Sequence, residues 1–79
     1  MKTFNLTVVV WKEKEGYVSK NPELGITSCG DNISEATANL KEAIELYLEN
    51  AQLLGILEDI KEGLSSKEKF TSYIEVAYA

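Results

Sequence analysis

A chain of 79 residues is enough for one small domain, and folding at this size removes roughly 60% of the unfolded chain's surface from water. Hydrophobic residues at 44% and charged residues at 27% exclude a disordered or fibrous class. A net charge of −5, with Lys12, Lys14 and Lys20 near one hairpin and Lys41 and Lys61 further along, works against binding a polyanion such as nucleic acid.

The first element is a strand over residues 3–11. Phe4, Leu6, Val8 and Val10 alternate with Thr3, Asn5, Thr7, Val9 and Trp11, the pattern of a half-buried strand. The Met1-Lys2 start passes directly into this alternation. With no apolar leader and no run of about 20 apolar residues, a cytoplasmic protein without a membrane span is expected. Residues 12–15 form a charged tip, and Gly16 allows the return into Tyr17, Val18 and Ser19, so a β-hairpin is predicted. Pro22 denies a ladder its donor and should end the second strand at Asn21-Pro22-Glu23. Residues 25–29 then read as a short third strand.

At Gly30-Asp31-Asn32 the period changes. Asn32 followed by Glu35 predicts a helix N-cap with a variant of the capping box. Apolar residues then fall at Ile33, Ala36, Leu40, Ala43, Ile44, Tyr47, Leu48, Ala51 and Leu54, one helical face. Glu35, Asn39, Glu42, Glu45, Glu49 and Asn50 occupy the other, which reads as solvated. Gly55 interrupts the helix while Leu53, Ile56, Leu57, Ile60 and Leu64 keep its period, which predicts either a bend or a second short helix. Gly63 and residues 64–67 mark a loop. Phe70, Ile74, Val76 and Tyr78 then alternate with Thr71, Tyr73, Glu75 and Ala77 as a last strand.

This order predicts a single α+β domain over residues 1–79 with two layers, β-β-β-α-β. A right-handed helical crossover would bring the last strand parallel to the first, giving sheet order 3-2-1-4 with helices on one face. The other face would present Val9, Trp11 and Tyr73 to solvent or a partner, with Trp11 the best anchor. Tyr17 and Leu24 join them if the hairpin and the Pro22 turn form a recognition edge, and fill the core if they fold inward.

The residue inventory offers little chemistry. The absence of His and the single Cys29 exclude an internal disulfide and a zinc site of the usual His and Cys type. Ser28, Cys29 and Ser34 have no base to activate them, and Cys29 reads as a small buried hydrophobe. Gly25 and Gly30 flank a strand and form no phosphate loop. A ribonuclease H-like domain shares this element order, but its two-metal site needs acids on the first strand, which has none; Glu42 and Glu75 alone cannot assemble one. No enzyme activity and no cofactor are expected.

Gly16-Tyr17-Val18, Pro22-Glu23-Leu24, Gly30-Asp31, Glu35-Ala36 and the run from Glu42 to Leu48, in this order and spacing, resemble the HicB-like antitoxin domains over about residues 4–49. The resemblance implies a partial ribonuclease H-like fold without nuclease activity, which binds and masks a HicA-type toxin, an RNA-cleaving protein. Many such antitoxins append a DNA-binding segment, whereas this sequence reads as a strand to its last residue, so no direct DNA contact is expected. Self-association as a homodimer or larger homo-oligomer is also expected, because a small domain leaves apolar surface that a second copy can cover. A stand-alone homo-oligomeric structural or small-ligand-sensing domain is the alternative.

Overall fold

The computed structural model describes residues 3–79, so the Met1-Lys2 start lies outside the described residues. Three antiparallel strands come first: β1 (Val9–Glu13), β2 (Gly16–Asn21) and β3 (Ile26–Gly30). Two helices follow, α1 (Ile33–Leu53) and α2 (Leu57–Leu64). The chain is thus α+β. The strands lie in the order β1-β2-β3, so β1 and β3 are edges.

Register assigns the faces. Val10 pairs with Ser19 and Ser19 with Ser28, while Trp11 pairs with Val18 and Val18 with Cys29. Because cross-strand partners share a face, Val10, Ser19 and Ser28 lie on one side and Trp11, Val18 and Cys29 on the other. The first side carries the helices: Ser19 is fully buried, and its Oγ donates to the Ala36 carbonyl of α1 at 2.8 Å. The strand approaches closely here. A Cβ on Gly30 would lie 2.5 Å from the Ala36 nitrogen, so only glycine fits.

Asn32 caps α1, its Oδ1 accepting from the Glu35 N–H at 2.7 Å. Glu35 reaches back to the Asp31 N–H at 3.2 Å, one residue before the position a standard capping box would use. The helix stops where glycine can stop it. Gly55 takes φ 76°, its N–H donates to Gln52 O, and the Ile56 N–H donates to Ala51 O, the paired bonds of a Schellman motif. The interruption at Gly55 is therefore a helix end, and α2 is a separate helix.

The buried face of α1 is narrower than the sequence suggests. Ala36, Leu40, Ile44 and Ala51 are buried, whereas Ile33, Tyr47 and Leu54 are exposed. α1 packs chiefly on β3 and then β2, and touches β1 little, so its flank toward the first strand is left uncovered. Leu64 at the end of α2 completes the buried apolar set.

Two further expectations need correction or qualification. The predicted strand over 3–11 forms its ladder only at Val9–Glu13, because β2 ends at Asn21 and the turn after it offers residues 3–8 no strand to pair with. The predicted last strand, Phe70 through Tyr78, has no regular secondary structure here, and the place beside β1 holds no strand among the described residues.

Gly30→Ala should lower stability by about 1–3 kcal/mol, since the strand end or the first turn of α1 must move to admit the methyl group. Urea unfolding followed by circular dichroism measures this as a fall in midpoint at unchanged slope.

Candidate interaction surface

The uncovered sheet face is built by alternation. On β1, Val9 and Trp11 point away from the helices at 41% and 39% exposure. Beside them lie Val18 and Lys20 of β2, then Cys29 and Thr27 of β3. The Trp11 indole N–H donates to Glu13 Oε1 at 2.8 Å, which holds the ring along its own strand and leaves a face outward. Cys29 is exposed, contrary to the expected buried hydrophobe, because an odd position of β3 falls on this open side.

Among the five candidate contacts, Val9 and Trp11 come together and three lie elsewhere. Tyr17 is on the helix-bearing side by register, half-buried, with Lys12 Nζ 4.9 Å over its ring. Leu24 turns toward α2 and lines a small cleft with Ile60 and Leu64. Tyr73 is fully exposed in the segment after α2, apart from the sheet. Val18, Lys20, Thr27 and Cys29 complete the open face; pairing the expected hairpin register against the third strand would have identified them.

A polar cluster at the Pro22 turn organises the opposite end of β1, and sequence reasoning took those residues only for a turn. Asn21 is fully buried, with its Nδ2 donating to Thr7 O and to Glu23 Oε1, both at 2.8 Å, and its Oδ1 accepting from the Leu24 N–H at 2.9 Å. Glu23 also accepts from the Thr7 N–H, at 3.1 and 3.0 Å to its two oxygens, and from Thr7 Oγ1 at 2.9 Å. Lys69 Nζ completes the cluster with a 2.9 Å ion pair to Glu23 and a hydrogen bond to the Asn5 carbonyl. Side chains thus satisfy backbone groups of residues 5–7 where no neighbouring strand does.

Burial pushes the Glu23 carboxyl upward, but the hydrogen bonds from Lys69 and Thr7 outweigh it and hold the pKa at about 2, against the usual 4.5. Between the cluster and the helices runs a groove of roughly 950 Å³, lined by Phe4, Leu6 and Val8 on one side and by Ile44, Leu48 and Leu57 on the other. It lies under the first strand, on the flank that α1 leaves uncovered. Among the described residues, no group of three or more Cys, Asp or Glu side chains could hold a metal ion. Nor is any helix there long and apolar enough to cross a membrane.

Because Glu23 is held below its unfolded value, its contribution is complete above pH 4.5 and is lost as pH falls toward 2. Glu23→Gln removes the charge and turns an N–H donor toward Thr7 or Lys69, costing about 1–3 kcal/mol at pH 7. Urea midpoints at pH 7 and pH 3 should converge for the two proteins, as wild type loses stability that the variant never had.

Comparison with known proteins adds kinship. A UPF0150 protein of Helicobacter pylori strain J99 is 41% identical over 76 residues, covering 94% of this chain and 97% of that protein. A UPF0150 protein of Synechocystis is 40% identical over 65 residues, 81% of this chain and 83% of its own. A protein of Haemophilus phage HP1, described as an uncharacterized 14.9 kDa protein in the rep-hol intergenic region, is 41% identical over 56 residues, 70% of this chain but 38% of that protein. No family model and no solved structure matches.

Proposed function

This chain belongs to the UPF0150 family, and from that premise we propose that it is a non-catalytic interaction domain of HicB-like type, which neutralises a basic, HicA-type RNA-cleaving toxin by covering its active surface. The observation that carries the reading is the uncovered sheet face bearing Trp11, on a chain of net charge −5. A ribonuclease that holds phosphate presents positive charge, which an acidic partner attracts over distance. Val9, Trp11 and Val18 then supply the apolar contact at the centre of the docked surface, with Glu13 and Lys20 at its rim.

The fold is completed in the same reading. Residues 70–78 form the fourth strand beside β1, giving the partial ribonuclease H-like order 3-2-1-4. Support comes from where this segment starts: Lys69 is bound to the Asn5 carbonyl, so a strand continuing parallel to β1 sets Tyr73 near Val9 and Glu75 near Trp11. Phe70, Ile74 and Val76 fall on the helix-bearing side with Leu6, Val8 and Val10, because the offset between the segments is even.

The groove under Phe4 and Leu6 favours one other reading, a homo-oligomeric domain that senses a small apolar ligand there. Mixing the purified chain with a small basic RNA-cleaving protein of HicA type separates the two. The toxin-neutralising reading expects co-elution at low salt, loss of RNA cleavage, and an encounter that weakens as salt is added. Trp11→Ala should weaken the complex about 30-fold or more, as for a central aromatic anchor. Failure to co-elute at low salt removes this function from consideration.

A further inference from the structure

We propose that residues 70–78 are an exchangeable strand, donated by each copy of this chain to the β1 edge of a second copy, so that the working unit is a strand-swapped homodimer. This rests on the reading that the fourth sheet position belongs to this segment, and adds which molecule supplies it.

Two unmet requirements in one copy lead to it. After Lys69 the chain leaves the body: Phe70 is 89% exposed, Tyr73 101%, Ile74 85% and Tyr78 97%. A compact fold of this length has a radius of gyration of roughly 12 Å, whereas this one measures 14.5 Å and extends 44 Å along its longest axis. An alternating apolar segment held in water forfeits the stabilisation each side chain would gain from burial. The body has the converse deficit. Among the described residues, β1 is an unprotected edge whose outer backbone groups have no strand partner, and the groove beneath Phe4, Leu6 and Val8 has a largely apolar surface, with Lys41, Glu45 and Glu58 also lining it, and no described side chain filling it.

Segment and edge match. The segment alternates with the same period as the first strand, its apolar side is the one that would face the groove, and its root at Lys69 is held at the start of that strand by Glu23 and Asn5. Projection of the segment from a firmly held root places its apolar side where a neighbouring molecule can take it up. Exchange between two copies is reciprocal, closes on a two-fold axis, and removes both edges and both segments from water at once. Among the described residues only five apolar side chains are buried, so the body gains more from a second copy than a larger domain would. The Trp11 face stays outward in such a dimer.

Cross-linking distinguishes the arrangements in the full-length chain. In a Cys29→Ser background, Val9→Cys and Tyr73→Cys are introduced in separate populations, which are unfolded together, refolded and treated with a short bis-maleimide. Exchange predicts a Val9-to-Tyr73 linked species of twice the 8.8 kDa chain mass. It also predicts that Ile74→Asp converts the dimer to monomer by light scattering, with far-ultraviolet circular dichroism retained. If a chain carrying both cysteines links only within itself and the mixed populations give no linked dimer, the fourth-strand reading stands and exchange is overturned. If neither linkage forms, both fail. A dimer that survives Ile74→Asp also overturns exchange.

Discussion

The ion pair between Glu23 and Lys69 joins three parts of the chain that no strand ladder connects. Glu23 comes from the turn after β2, Lys69 from the segment after α2, and both bind backbone groups of residues 5–7. Without them the Thr7 N–H and the Asn5 carbonyl would have to find water, and the chain before Val9 would be left with the Asn21 bond to the Thr7 carbonyl. The pair is sheltered, with its side chains 14% and 22% exposed, and Asn21 and Thr7 meet the remaining demands of the carboxylate. A surface ion pair of ordinary solvation would contribute far less. The cost of removing solvent from these charges is offset here by hydrogen bonds as well as by charge.

What the cluster holds determines the two surfaces on which the functional account depends. It sets Phe4 and Leu6 over the flank of α1, opening the groove, and it aims the chain after Lys69 along the start of the first strand. The opposite sheet face owes nothing to it. That face follows from alternation alone, because α1 covers one side of a three-stranded sheet and the described residues place no helix on the other. Association through the β1 edge and recognition through the Trp11 face can therefore coexist on one small domain.

Much of this was legible in the amino-acid order because local rules decide it. Asn32 and Glu35 mark the start of α1 by cap chemistry, and Pro22 ends β2 because it cannot continue a ladder. Other features are non-local. Glu23 and Lys69 are 46 positions apart, and nothing in either segment announces an ion pair between them. The exposure of Cys29 needed the register of two strand pairs, whereas its residue type pointed inward. The hairpin position of Tyr17 leaves both a recognition edge and the core open to it, and its pairing with Lys12 places it on the helix side. The last strand shows the limit of periodicity: alternation states which side of a segment is apolar, but the partner edge decides whether and where it pairs.

The central claim is that the open sheet face is the docking surface for a basic RNA-cleaving protein. Trp11 is the single tryptophan, so its indole N–H gives one resolved signal in a proton-nitrogen correlation spectrum. Titrating the ribonuclease into the labelled chain should shift or broaden that signal together with the amides of Val18 and Cys29, while those of Glu42 and Glu49 on the outer side of α1 stay in place. An unmoved indole signal in a complex that demonstrably forms would contradict the account.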